Sequence, residues 1–583
     1  MLNPRGASPA GRSRGLRLAA LGLAAAVGFA CGPSPLLKTR PPADRHAPYD
    51  YTARTALVVA ANPLAAEAGR DMFLQGGNAV DAAIAASFAL NAAEPFASGL
   101  GGGGFMVIYL AQENRVTVID FRERAPLAAS PSMFIDNGQL NRTWKETHGL
   151  AVAVPGAPAG WDYALKKYGT KTLAQVAERG IEIADKGFPV GPTLSAVTKE
   201  EQERLLANAG EDSVYLKNGR PYEAGDTFRN PELARTFRTI ADKGVAEFYR
   251  GPLARKIVEA VRSKGGIMTL EDLASYRPVE TEPLKGTYKS CTLYTVPPPS
   301  SGGLHAVQLL NIMDNWPLKS WGPNSPAYIH HFAEALRYVF ADRERYLADP
   351  EFVKVPVKDI ADKAYAARIA AGIKPDRVGG DYPSGDFDPK HDKTGNTSHL
   401  CAIDRFGNIV ALTQSLNYFF GSCISPKGSG FLLNNCLDDF ADDPAGLNAP
   451  GPRRRPLSSM APLILFRKGR PLLALGSPGG TRIFSTLDQI ILNVIEFEMS
   501  LDEAIEAPRF FSYSAAGKAA PLFCESRIPE ETRLALEKMG HEVSVKEAYD
   551  RYFGGAQGIL VLRGGKLLQG GADSRRDGAG AGF

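Results

Sequence analysis

The strongest constraint on this chain is a series of hairpins. Residues 105–110 and 116–121 are apolar runs parted by a polar turn. Three more such pairs lie toward the C-terminus. Residues 400–404 and 409–416 flank Arg405-Phe406-Gly407-Asn408, residues 463–466 and 472–475 flank Lys468-Gly469-Arg470, and residues 559–562 and 566–569 flank Gly564-Gly565. Short apolar runs joined by polar, glycine-bearing turns form antiparallel ribbons. Helical spacing is found elsewhere: residues 62–91, interrupted by Gly76-Gly77, and residues 172–186, 327–347 and 487–507. Hairpins kept apart from helical runs predict a layered α+β fold and disfavour a parallel doubly wound sheet. At 583 residues the chain outgrows one ordinary core, so it forms either several domains or one large layered one.

Charge narrows the partners. Lys+Arg is 67 against Asp+Glu 63, a net charge of +4, with no basic surplus for nucleic acid. The six cysteines, Cys31, Cys291, Cys401, Cys423, Cys436 and Cys524, include no CxxC, which removes a zinc ribbon and a thioredoxin-like motif. They make no disulfide framework and leave room for a single bridge.

The N-terminus reads as an export signal. Arg5, Arg12, Arg14 and Arg17 precede or enter an apolar stretch over residues 16–30 that is too short to span a bilayer comfortably. Gly28 and Ala30 suit cleavage before Cys31, where a lipoprotein would carry its lipid. We therefore expect a signal peptide over 1–30, a tether over 31–50, and a protein in the periplasm or cell envelope, membrane-held only through a lipid on Cys31 and otherwise secreted.

Several motifs fail. Gly99-Leu100-Gly101-Gly102-Gly103-Gly104 matches GxGxxG, but Glu94-Pro95 precedes it and a strand follows, the reverse of a dinucleotide site. A tight backbone approach is the better reading. His330-His331 lies in an amphipathic helix without HExxH, so no metal is expected. The one GxSxG, Gly11-Arg12-Ser13-Arg14-Gly15, falls in the expected signal segment and is no nucleophile elbow, and nothing beside Cys436 in sequence activates it as a thiol. No cofactor is called for.

Thr397 is different. A polar stretch ends at Asn396, and a strand begins with Thr397-Ser398-His399. A threonine hydroxyl needs a base beside it. As the first residue of a chain, threonine supplies its own α-amine, whose unperturbed pKa is about 7.7–8.0. That requires a cut between Asn396 and Thr397, made by attack of the Thr397 hydroxyl on the preceding carbonyl.

The surroundings of Thr397 carry a resemblance. Asn434-Asn435-Cys436-Leu437-Asp438-Asp439-Phe440, Arg455-Pro456-Leu457-Ser458-Ser459-Met460 and Gly476-Ser477-Pro478-Gly479-Gly480-Thr481-Arg482 follow it in order. Upstream stand Gly76-Gly77-Asn78-Ala79-Val80-Asp81, Glu94-Pro95, Asp120-Phe121-Arg122-Glu123, Pro298-Pro299-Ser300-Ser301-Gly302-Gly303 and Ala341-Asp342-Arg343. From about Ala56 to the C-terminus the chain resembles the γ-glutamyltranspeptidase family of N-terminal-nucleophile hydrolases.

The resemblance implies a four-layer αββα sandwich built jointly by a large subunit, 51–396, and a small one, 397–583, that stay associated after self-cleavage. It implies Thr397 as nucleophile, Ser415 as a second hydroxyl beside it, and Gly479 and Gly480 as the oxyanion hole. Arg122, Ser458 and Ser459 would read the α-carboxylate of a γ-glutamyl group, and Asn417 and Asp439 its α-amine. Substrates would be glutathione and related γ-glutamyl compounds, with water, amino acids or peptides as acceptors. Cys436 stands where the family usually has Gln or Glu against that amine, and a thiol is a weak acceptor. The 441–451 link is short where some bacterial members carry a lid. These departures keep open a cephalosporin- or glutaryl-type amide acylase, and an uncleaved, non-catalytic binding protein remains the rival from another class.

Overall fold

The computed structural model describes residues 50–380, 382, 396–515 and 518–583. The expected signal segment, Cys31 and nearly all of the 31–50 tether lie outside them. The predicted hairpins are the centre of the fold, shared between two seven-stranded sheets. One runs in the order Ala579–Gly582, Leu57–Ala60, Asn396–Ile403, Ile409–Asn417, Gly103–Leu110, Arg115–Asp120, Val279–Thr281. The other runs Asp50–Ala53, Leu567–Ala572, Gln557–Leu562, Arg470–Gly476, Leu463–Arg467, Cys291–Thr295, Leu284–Tyr288. Neighbouring strands are antiparallel throughout both.

The sheets face each other through Asn396–Ile403, Ile409–Asn417 and Arg470–Gly476. A first helical layer covers the outer face of the Thr397 sheet. Its helices Pro63–Leu74, Ala79–Ala93, Leu173–Lys186 and Pro231–Lys243 pack with Val58, Met106, Ile108, Leu400, Ala402, Val410 and Leu412 in one buried cluster. Ser301–Met313 and Ile483–Ile495 cover the other sheet and pack on each other, with Pro326–Tyr346 against the first of them. The expected α+β fold with αββα layering is what forms. A strand covered on both faces is apolar on both, which is why Leu57–Ala60 is wholly buried and does not alternate.

Local chemistry sets the helix ends. Asn78 caps Ala79–Ala93 by accepting from Val80 N and Asp81 N, and Asp81 Oδ2 in turn accepts from Asn78 N at 2.8 Å. Gly76, at φ +82°, makes the turn expected between the first two helices. The 487–507 helix is a correction. It starts earlier, at Ile483, and breaks into Ile483–Ile495 and Leu501–Glu506. Glu498 turns left-handed at φ +57°, and Ser500 opens a new capping box with Glu503.

The glycine string is the tight approach expected of it: a Cβ on Gly102 would sit 2.0 Å from Ser415 O. His330 is a core residue of its helix, with Nδ1 2.8 Å from His541 Nε2 and Nε2 2.7 Å from Lys374 O. The five described cysteines are free and buried. No helix among the described residues is long and apolar enough to cross a membrane.

Candidate active site

Thr397 lies one residue into its strand. Pairing with Ile409–Asn417 sets Asn396 opposite Asn417 but Thr397 opposite Ser415, so Leu416 is skipped and the register shifts between Asn396 and Thr397. A bulge of this kind bends a strand and re-aims its side chains. The Thr397 hydroxyl donates to Ser415 Oγ at 3.2 Å. Ser415 Oγ also accepts from Asn417 N at 2.8 Å, where Asn417 adopts φ +78°. Asn417 Nδ2 donates to Asn435 O at 3.2 Å. Arg576 Nη1 donates to the Thr397 carbonyl at 3.2 Å.

A cleft opens at Thr397. Of the expected residues its wall holds Arg122, Ser415, Asn417, Asp439, Ser458, Ser459 and Gly480, drawn from segments more than 300 residues apart. Gly479 is adjacent at φ +136° and Gly480 follows at φ +57°, conformations that disfavour a side chain. They lead into the short turn Gly480–Arg482 and the helix Ile483–Ile495, and Thr481 of the turn and Ile483 of the helix also line the cleft. A helix start offers unpaired N–H groups and the positive end of its dipole to an anion.

The Ser458-Ser459 segment is held by the Pro-Pro-Ser-Ser-Gly-Gly string. Ser301 N and Oγ donate to Ser458 O at 2.7 and 2.8 Å, and Ser300 Oγ donates to Met460 O at 2.5 Å. Gly302 must be bare, because a Cβ there would meet Ser459 O at 2.2 Å.

Arg122 is buried and well supplied with partners. Nη2 donates to Asp439 Oδ2, Nη1 to Glu123 Oε2 at 3.1 Å, and Nε to Pro456 O at 3.2 Å. The neighbouring Asp120 accepts from Arg455 Nη1 at 2.6 Å, which fixes the base of the Asp-Phe-Arg-Glu turn.

Cys436 departs from expectation. It is fully buried and is not on the cleft wall. Its thiol lies behind Arg122, donating to Glu123 Oε1 at 3.1 Å, with Arg122 Nη1 3.4 Å from the sulfur. Burial, with Glu123 beside it, pushes the thiol well above its usual pKa. In this structure the thiol contacts Glu123, the counter-ion of Arg122, and burial raises the Glu123 carboxyl above its usual pKa.

The sequence reading did not place Arg343 at the site. It lies near the end of Pro326–Tyr346 and lines the cleft, donating from Nε to Ser301 Oγ at 3.1 Å and from Nη2 to Ser459 Oγ at 3.4 Å. Ala341-Asp342-Arg343 was the available signal. Tyr418 and Asp438 also line the cleft, and burial pushes Asp438 up to about 6. His399 is no base for Thr397. It is buried between Thr413 Oγ1 at 2.8 Å and Cys401 Sγ at 3.2 Å, and burial lowers it to about 3.

Known proteins align with this arrangement along most of the chain. The glutathione hydrolase proenzyme of Bacillus subtilis (strain 168) is 38% identical over 546 residues, spanning 91% of this chain and 92% of that one. The glutathione hydrolase proenzyme of Escherichia coli (strain K12) is 39% identical over 538 residues, 90% and 91% of the two chains. Among solved structures, a cephalosporin acylase from Bacillus halodurans superposes with a TM-score of 0.82 at 28% identity, covering 94% of this chain and 99% of that one. The gamma-glutamyltranspeptidase family model matches residues 65–583, and this chain belongs to that family.

Proposed function

We propose that this protein is a self-cleaving γ-glutamyltransferase and glutathione hydrolase with Thr397 as nucleophile. The observation that carries the reading is the Thr397 hydroxyl, 3.2 Å from Ser415 Oγ, in one cleft with Arg122, Asp439, Ser458 and Ser459. A zwitterionic donor end needs a cation and hydroxyls for its carboxylate and an anion for its ammonium. That cleft holds each of these.

In the precursor, Thr397 Oγ attacks the Asn396 carbonyl carbon. The C–N bond breaks, the nitrogen keeps its pair and takes a proton, and an ester forms. Water hydrolyses the ester, leaving a large subunit, 51–396, and a small one, 397–583, which remain associated. In the processed protein the α-amine of Thr397 accepts the hydroxyl proton as Oγ attacks the γ-amide carbon of the donor. The N–H groups of Gly479 and Gly480 hold the tetrahedral oxyanion. The proton passes to the leaving amine, and water or an amino acid or peptide amine takes the γ-glutamyl group from the ester. Asn417 and Asp439 hold the donor ammonium throughout.

The Arg- and apolar-rich start of the sequence supports export, with Cys31 as a lipid site if it is acylated. The likeness to an acylase structure supports a second reading, an amide acylase using the same nucleophile. A screen of γ-glutamyl against glutaryl anilides separates them. Turnover of γ-glutamyl donors in strong excess is expected; preference for glutaryl donors, which lack the α-amine, would replace the first reading by the second.

A further inference from the structure

We propose that Glu94 and Arg576 form a buried positioning pair for Thr397, and that proton uptake by Glu94 weakens it. The proposal rests on the reading of Thr397 as nucleophile.

Strand alternation divides the work around Thr397. Residue 399 points toward the second sheet: its ring sits where a Cβ on Gly476 would lie 2.2 Å from His399 Cε1. Thr397 shares that side. Ser398 points the other way, into the helical layer, where its hydroxyl donates to Glu94 Oε2. Glu94 ends the helix Ala79–Ala93 and is 3% exposed. Ser398 Oγ also accepts from Ser98 Oγ at 3.1 Å, and Ser98 Oγ accepts from Gln414 Nε2 at 3.2 Å.

Arg576 closes the arrangement from the C-terminal side. Its Nη1 is 3.8 Å from Glu94 Oε1 and donates to the Thr397 carbonyl at 3.2 Å. The peptide unit joining Thr397 to Ser398 is thus gripped twice, by Arg576 on its carbonyl and by Glu94 on the next side chain. Opposite charges tie the two grips together. In a processed chain Thr397 has lost its covalent neighbour on the N-terminal side. The direction of its hydroxyl and α-amine is then set by this peptide unit and by strand pairing, and small errors of aim cost rate steeply.

The pair is also titratable. Burial pushes Glu94 up to about 7, against the opposing effects of the Arg576 charge and the Ser398 hydrogen bond; Asp577 adds to the rise. Around Arg576 stand Glu94, Arg551, Asp573 and Asp577. A proton on Glu94 removes one of the charges that hold the guanidinium in place over the Thr397 carbonyl.

The test is the activity ratio of Glu94→Gln to wild type across pH. Glutamine still accepts from Ser398 but carries no charge. The pair predicts a variant about tenfold slower near pH 8.5, where wild-type Glu94 is ionised, and nearly equal near pH 5.5, where it is not. Titration of the Thr397 amine affects both proteins and cancels in the ratio. A ratio that is flat across pH, or equal to one throughout, overturns the proposal. If Glu94→Gln does not fold, Ser398→Ala is read instead. It removes a bond that holds Glu94 down, so the acid limb of activity should move to higher pH, and an unmoved limb overturns the pair. Thr397→Ala, purified alongside, separates the underlying reading. Turnover by that variant above the blank removes the nucleophile and the pair with it, whereas an inactive Thr397→Ala with a flat Glu94→Gln ratio removes the pair alone.

Discussion

Arg122 Nη2 donates to Asp439 Oδ2 on the wall of the cleft, so the cation and the anion that a zwitterionic donor would engage already hold each other. A donor inserting its carboxylate and ammonium exchanges one ion pair for two. Asp439→Asn should leave Arg122 with Glu123 and remove the charge facing the ammonium. Arg122→Lys should keep the charge but lose the fork. Each is expected to lower kcat/KM for a γ-glutamyl donor by about 1.5–3 kcal/mol, roughly 10- to 150-fold, mainly through KM. Unchanged kcat/KM in either variant refutes the role given to that side chain.

Processing should give two bands on a denaturing gel, and Edman sequencing of the smaller should read Thr-Ser-His-Leu. That fragment would run from Thr397 to Phe583. Thr397→Ala should remain one chain. A different N-terminus moves the cut, and a single wild-type band without turnover favours the non-catalytic rival.

Cys436 should matter to stability before it matters to binding. Its thiol donates to Glu123 Oε1 at 3.1 Å inside the core. Cys436→Ala removes that donor and is expected to cost about 1–3 kcal/mol in a denaturant titration, with a smaller effect on the preference between γ-glutamyl and glutaryl donors. A changed preference at unchanged stability would put the thiol on the substrate after all.

His399 gives a pH test of the fold. Its folded pKa is about 3, below the usual value of about 6.5, because burial disfavours its charge. The unfolded chain therefore binds the extra proton, and the stability it confers is present above about pH 6.5 and lost as pH falls toward 3. His399→Gln is expected to be less stable than wild type at neutral pH, because the ring is fully buried and hydrogen-bonded to Thr413. The gap should then close by about 1.4 kcal/mol per pH unit below pH 6. A gap independent of pH would show that burial does not shift the titration of His399 between the folded and unfolded protein.

How much of this was legible follows from what each residue depends on. Thr397 and Ser415 share one hairpin, 18 residues apart, but the local segment is weak by itself, and their roles are legible only through the ordered motifs that carry the family resemblance. Ser458 and Ser459 were legible as a motif, though what holds them, Ser300 and Ser301, acts from about 157 residues away. The direction of Cys436 was not legible, because it is decided by Glu123, 313 residues upstream. Arg343 is legible only as part of the Ala341-Asp342-Arg343 motif, with no role attached, because its place at the site depends on contacts with Ser301 and Ser459 from other segments. The break in the 487–507 helix depends on a single left-handed residue, Glu498, which no periodicity reveals.

The strand order has a kinetic consequence. Leu57–Ala60 pairs on one side with Ala579–Gly582 and on the other with Asn396–Ile403, and Gly103–Leu110 pairs with Ile409–Asn417. A cut between Asn396 and Thr397 therefore releases no peptide, since each fragment supplies strands to both sheets. That cut by itself frees no strand of the two sheets that could rebind and inhibit. Maturation should proceed as a first-order event whose half-time is the same at every protein concentration, and once made the pair of fragments comes apart only by unfolding.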